Sequence, residues 1–158
     1  MSQRRDWPGL AEDGLVAVAR AFAAGVREGG VVFLDGELGA GKTTFVRALL
    51  VASGALGRVR SPTYSLIESY PIDGRAAHHL DLYRIGDPGE LEWLGLSDLA
   101  AADDLVLVEW PERGVSALPA ADLRVALAHA GDLRDLRVEA LTARGQRWLT
   151  RVPVDPDS

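Results

Sequence analysis

The only lysine in this 158-residue chain, Lys42, lies inside Gly36-Glu37-Leu38-Gly39-Ala40-Gly41-Lys42-Thr43, a complete match to the phosphate-loop pattern GxxxxGK[ST]. Every other basic position is arginine. The pattern has a physical logic. Glycines let backbone amides from Gly36 to Thr43 surround phosphate oxygens, the compact ammonium of Lys42 folds back to neutralise them, and the Thr43 hydroxyl can hold Mg²⁺. A planar guanidinium cannot make that reach, so lysine stands where it is hardest to exchange. The plainer alternative is a glycine-rich turn with no ligand.

Phosphate chemistry also needs an acidic group at the end of a neighbouring apolar strand. Glu109, directly after Leu105-Val106-Leu107-Val108, fits that place, and one hydroxyl and one carboxylate suffice for a cation that keeps most of its waters. Otherwise Glu109 is a solvated strand end. In His79-Leu80-Asp81-Leu82-Tyr83 the period of two puts His79, Asp81 and Tyr83 on one face. Asp81 could there orient an attacking water, against the alternative of ordinary strand-surface hydrogen bonding. A metal site from His79 and Asp81 is disfavoured, because His78 and His79 point to opposite faces. Thr63, in Ser61-Pro62-Thr63-Tyr64, occupies the order along the chain in which a threonine can sense a γ-phosphate, or it is part of a turn. Arg134 and Arg137 could meet phosphate or base, although solvation is their default, and Trp93 and Trp110 read as core.

The elements that would position these groups follow from periodicity. Leu15, Val18, Ala19, Phe22 and Val26 recur at helical spacing between Leu10 and Arg27, and Gly29-Gly30 ends the helix. Val31 to Leu34 is a buried strand, and Thr43 to Ser53 a helix stopped near Gly54. Strand, glycine loop and helix thus come in the order that aims loop amides and a helix dipole at an anion. Tyr64 to Tyr70 and Ala77 to Arg84 read as strands joined across Asp73-Gly74, which makes part of the sheet antiparallel. Asp87-Pro88-Gly89-Glu90 opens a helix through Leu94 that resumes near Leu99. Leu105 to Val108 is a strand stopped by Pro111, and Leu123 to Ala128 with Leu136 to Leu141 form a second hairpin turned at Ala130-Gly131-Asp132. The tail after Arg151, residues 152–158, is polar and expected to fray.

Composition bounds the rest. The length allows one domain over residues 1–158, with no repeats or linker, and 47% hydrophobic content can build its core. Absence of cysteine removes disulfides and thiolate metal sites, and no apolar run approaches the roughly 20 residues that span a bilayer. A soluble, cytoplasmic protein is expected. A net charge of -6 argues against a broad basic face for nucleic acid, so any RNA connection is indirect. ATP is favoured over GTP, since a guanine-reading Asn-Lys-x-Asp element needs a lysine and Lys42 is already committed.

The ordered set Gly36 to Phe45, Ser61-Pro62-Thr63-Tyr64, His79-Leu80-Asp81-Leu82-Tyr83-Arg84, Val108-Glu109-Trp110-Pro111 and Leu118-Pro119 resembles the TsaE family, the small ATPase of bacterial threonylcarbamoyladenosine synthesis on tRNA. The resemblance covers most of the chain. It implies an α/β phosphate-loop NTPase domain with a mixed parallel and antiparallel sheet flanked by helices, and a weak Mg²⁺-dependent ATPase working with TsaB and TsaD. It also implies that Thr43 and Glu109 are the Mg²⁺ ligands, that Gly39, Ala40, Gly41, Lys42, Thr43 and Thr44 contact ATP phosphates, and that Glu12 and Arg134 contact the nucleotide. Thr63 matches the family's switch-like threonine, and Asp81 a carboxylate important for activity alongside Lys42. Two rivals accompany this expectation. One is a nucleotide-gated binding module without essential hydrolysis, and the other is a small-molecule kinase with Arg113, Arg134 and Arg137 as a lid.

Overall fold

Val31-Val32-Phe33-Leu34 offers no polar side chain to solvent, so it belongs where a sheet is covered on both faces. The computed structural model describes residues 3–26, 28–55, 66–72, 74–96, 98 and 103–152. It places this run in β2 (Gly30–Asp35), the middle of a seven-stranded sheet. Both neighbours are parallel to it, β5 (Leu105–Glu109) on one side and β6 (Leu123–Ala130) on the other. Beyond β5 come β4 (Arg75–Asp81), parallel, and β3 (Ile67–Ile72), antiparallel, as one edge. Beyond β6 come β7 (Leu133–Ala140) and β1 (Gln3–Leu10), both antiparallel to their neighbours. The order is β1-β7-β6-β2-β5-β4-β3.

Three helices cover one face: α1 (Glu12–Val26), α2 (Lys42–Ala52) and α3 (Ala143–Arg151). Their apolar stripes close a core in which Phe22 lies 6.3 Å from Phe45 and 6.4 Å from Trp7, ring centre to ring centre. On the other face Val31, Phe33, Leu80, Val106 and Val108 are covered by Leu91, Leu96 and Ala121 from the connection between β4 and β6. The α/β domain with a mixed, helix-flanked sheet is thus as expected, and both predicted hairpins form.

Several expectations need correction. The strand expected to reach Arg84 ends at Asp81, whose Oδ1 accepts the Tyr83 N–H at 3.1 Å and turns the chain. Its partner strand runs from Ile67 to Ile72, with residues 64 and 65 outside the described residues. The helix expected from Asp87 is a 3₁₀ segment, Pro88–Leu94: Asp87 Oδ1 accepts Gly89 N–H and the Asp87 carbonyl accepts Glu90 N–H, both at 2.9 Å, a tighter closure than the α pattern. Its expected continuation near Leu99 lies outside the described residues. Trp93, read as core, is 90% exposed. Val152, placed in the fraying tail, is buried, and its carbonyl accepts a hydrogen bond from the Arg5 guanidinium. Thr63 lies outside the described residues.

Candidate functional site: a phosphate loop facing two strand-end carboxylates

The loop between β2 and α2 requires glycine at two points for steric reasons. Gly36 has φ 152°, and a Cβ there would come within 2.6 Å of the Leu127 carbonyl oxygen. Gly41, the residue before α2, has φ 107°, in the left-handed region, and a Cβ would meet Leu15 at 2.9 Å. Because Gly41 has no side chain to cap the helix, the first-turn amides of α2 keep their donors for an anion, at the positive end of the helix dipole. Ala40 is fully buried and fastens the loop, donating its N–H to the Glu37 carbonyl at 3.1 Å. Thr43 and Thr44 follow on the first turn of α2.

Parallel pairing then sets the acids. Asp81 and Glu109 are register partners at the carboxyl ends of β4 and β5, and Glu109 is also opposite Leu34 of β2. Both carboxylates therefore arrive beside the loop, at the end of an open α/β sheet where ligands bind. Thr43 Oγ1 lies 3.2 Å from each Glu109 oxygen. Glu109 is 2% exposed, and its Oε2 accepts a hydrogen bond from His79 Nε2 at 2.5 Å. Thr43, Asp81 and Glu109, with Lys42, Leu38, Gly39, Tyr83 and Trp110, line a cleft of about 220 Å³.

Lys42 is buried at 5% exposure, donates to the Gly36 carbonyl, and holds Nζ 3.5 Å above the centre of the Trp110 ring. Burial pushes its pKa down, opposed first by the charge of Glu109 and then by that of Asp81. Burial pushes Asp81 up above the usual carboxylate value; its bond from Tyr83 N–H works against the shift and the charge of Glu109 adds to it. A carboxylate raised in this way is a stronger proton acceptor than an exposed one.

The second hairpin reaches the same loop. Arg134 donates to the Gly39 carbonyl at 3.1 Å, and His129 Nε2 lies 3.2 Å from the Leu38 carbonyl. Glu12 opens α1 two residues after Leu10, which is the β1 register partner of Arg134. Arg137 does not join them. It pairs with Asp6 at 2.9 Å on the face of β7 opposite the core residue Leu136, so the three-arginine lid is not assembled.

Sequence reading missed the wall opposite the loop. Trp110 has φ 58°, in the left-handed region, and this turns its ring into the cleft 5.0 Å from the Tyr83 ring, where it was read as core. Arg113 donates to the Tyr83 carbonyl at 2.8 Å and sits over both rings, 5.0 and 5.4 Å from their centres. Pro111 gave no sign of this, because a residue before proline favours extended backbone and Trp110 departs from that preference.

Comparison with known proteins agrees with this arrangement. Residues 11–136 match the family described as threonylcarbamoyl adenosine biosynthesis protein TsaE. The chain is 45% identical over 120 residues to the tRNA threonylcarbamoyladenosine biosynthesis protein TsaE of Haemophilus influenzae, covering 76% of each. It is 40% identical over 138 residues to the Streptomyces coelicolor protein of the same name, covering 84% of this chain and 93% of that one. The crystal structure of Bacillus subtilis YdiB superposes with a TM-score of 0.78 at 27% identity, covering 96% of this chain and 95% of the other. With a family match across most of its length and the same fold in a solved relative, the chain belongs to the TsaE family of threonylcarbamoyladenosine biosynthesis proteins.

Proposed function

We propose that this chain binds Mg·ATP in the cleft and hydrolyses it slowly, and that the cycle resets an assembly with TsaB and TsaD in threonylcarbamoyladenosine modification of tRNA. The observation that carries this reading is the Thr43 hydroxyl 3.2 Å from both Glu109 oxygens beside the loop amides. A neutral hydroxyl paired with one carboxylate is a donor set suited to Mg²⁺, which takes few protein oxygens and disfavours nitrogen and sulfur ligands. When bound, Mg²⁺ would neutralise charge that develops on the phosphate oxygens. Lys42 and the amides from Gly39 to Thr44 would hold the phosphates, and Glu12 and Arg134 would contact the rest of the nucleotide. Asp81 would orient water by accepting its hydrogen bond, and Thr63 would sense the γ-phosphate.

Slow turnover is consistent with how the nearby arginines are engaged. Arg113 is committed to Tyr83 and Trp110, and Arg134 to Gly39. Either would have to leave that partner to neutralise a phosphoryl group in flight, a role worth several orders of magnitude in related chemistry. The negative net charge supports contact with tRNA through the assembly rather than directly. Among the described residues no helix is long and apolar enough to cross a membrane.

ATP hydrolysis measured with and without TsaB and TsaD tests the proposal. Slow basal turnover that requires Mg²⁺ and changes when the partners are added is expected. Rapid turnover indifferent to them would overturn it, and phosphate transfer to a small molecule in a substrate screen would point to a kinase instead.

A further inference from the structure

Glu109 has more than one way to turn its carboxylate, and Thr43 does not choose between them. The hydroxyl lies at 3.2 Å from both oxygens, so its hydrogen bond leaves Oε1 and Oε2 equivalent. The short bond to His79 removes that equivalence. At 2.5 Å, His79 Nε2 engages Oε2. Because a carboxylate only accepts, Nε2 carries the proton whatever the charge on the ring.

The rest of the imidazole gains nothing from being there. His79 is 1% exposed, and its Nδ1 is buried with no hydrogen-bond partner. An aliphatic side chain would fill the same space without that unmet polar atom. The Nε2 bond is therefore what distinguishes histidine from leucine at this position. His79 arrives there because β4 and β5 pair in parallel, with His79 opposite Leu107 and Asp81 opposite Glu109, which puts the imidazole one step behind the site on the same face. His78, on the other face, is fully occupied by Ser69 at 2.7 Å and Asp104 at 2.9 Å and is remote from this chemistry.

We propose that His79 is a positioning residue: by pinning Oε2 of Glu109 it leaves Oε1 as the oxygen presented to the divalent cation. This rests on the Mg·ATP reading of the cleft. Hydrogen-bond partners behind a metal ligand typically set about 10- to 100-fold in metal affinity.

The test uses Mn²⁺ as the probe, with retention read from the paramagnetic signal of the free ion in the presence of a non-hydrolysable ATP analogue. Binding of the analogue in chelator is measured alongside, for the wild type and for His79→Leu, His79→Asn and His79→Gln. The Leu and Asn variants, without a donor that reaches Oε2, should retain Mn²⁺ about 10- to 100-fold more weakly while binding the metal-free analogue within about twofold of the wild type. His79→Gln, whose amide nitrogen reaches about as far as Nε2, should recover most of the loss. Should the Leu variant not fold, the Asn and Gln pair decides by the same comparison. Equal Mn²⁺ retention in all four proteins, or a Gln variant as weak as Asn, would overturn the assignment of His79 alone. A wild type that retains no Mn²⁺ with the analogue would overturn the cleft reading and this inference together.

Discussion

Trp110 is held at φ 58° in the left-handed region, which makes it the place where backbone strain and side-chain contact can be separated by mutation. Besides Arg113 at 5.4 Å from its centre and the apolar cluster it packs against, its ring makes two closer contacts. The first is with Lys42 Nζ, 3.5 Å from the ring centre, for which about 0.5–2 kcal/mol is typical. The second is with Tyr83, ring centres 5.0 Å apart at 45°, for which about 0.5–1.5 kcal/mol is typical. Trp110→Ala removes both and should cost about 1–3.5 kcal/mol in folding free energy. Alanine still carries a Cβ into the left-handed region, at about 1–2 kcal/mol, whereas glycine does not. Glycine gives back about 0.5–1 kcal/mol through the freedom of its unfolded chain. Trp110→Gly should therefore be more stable than Trp110→Ala, by up to about 1.5 kcal/mol, although it removes more of the side chain. Urea unfolding of the three proteins at matched slopes measures this. ATP affinity should fall by the same factor in both variants, because both lose the ring beneath Lys42. An alanine variant at least as stable as the glycine variant, or both within about 0.3 kcal/mol of the wild type, would refute the description of this turn.

Three further perturbations bear on the cleft itself. Lys42→Ala removes the one cation aimed at phosphate from the loop, and loss of a charge-assisted contact of about 1.5–3 kcal/mol predicts roughly 10- to 150-fold weaker ATP binding by calorimetry; unchanged affinity and turnover would remove the phosphate-loop assignment. Glu109→Gln should raise the Mg²⁺ concentration for half-maximal turnover by about tenfold or more, and full retention of the wild-type Mg²⁺ dependence would favour a carboxylate with no metal role. Asp81→Asn should abolish the hydrolysis-dependent step while partner docking persists; retained function would favour the nucleotide-gated module. The same variant has a pH signature. Burial first, then the charge of Glu109, raise the Asp81 pKa above 3.8, so the folded state favours the protonated acid and wild-type stability falls as pH rises from 3.8 through the folded pKa. The melting temperature of Asp81→Asn relative to wild type should accordingly be near zero difference below pH 3.8 and positive above that window.

How far the sequence could be read depended on whether each signal was local. Val31 to Leu34 and Leu105 to Val108 are buried on both faces, so their apolar runs alone identify central parallel strands. The segments that escaped are those whose burial comes from distant partners. β1 has one buried side chain, Trp7, among exposed charges and a proline, and it becomes a strand because the free edge of β7 offers it hydrogen bonds. α3 buries Gly145, Trp148 and Leu149 while four of its nine residues, 143–151, are polar arginine or glutamine. Its start is fixed by the Thr142 hydroxyl, which accepts Gly145 N–H at 3.1 Å and donates to Asp122 at 2.6 Å, a partner twenty residues earlier. No periodicity in a nine-residue window reports such a contact.

The site divides in the same way. Lys42, Thr43 and the glycines form a contiguous motif, so their chemistry was written in one stretch of chain. Asp81 and Glu109 were nameable because each follows an apolar strand, but their adjacency is a property of register: a shift of one residue in the β4 to β5 pairing would turn one carboxylate toward the opposite core. The wall of Tyr83, Trp110 and Arg113 depends on a positive φ at tryptophan, which residue preference argues against, so it could only be found in the folded chain. Its cost is stored where the cleft needs a surface under Lys42, and strain tolerated at a site rather than in a core is what a functional constraint leaves behind. The unpartnered Nδ1 of His79 is the same kind of mark in hydrogen bonding. The same two kinds of departure also occur at Asp103, Ser53 and Trp148, outside the cleft lining, so it is the partners that give these two their meaning: the Trp110 ring lies against Lys42, and His79 Nε2 against Glu109.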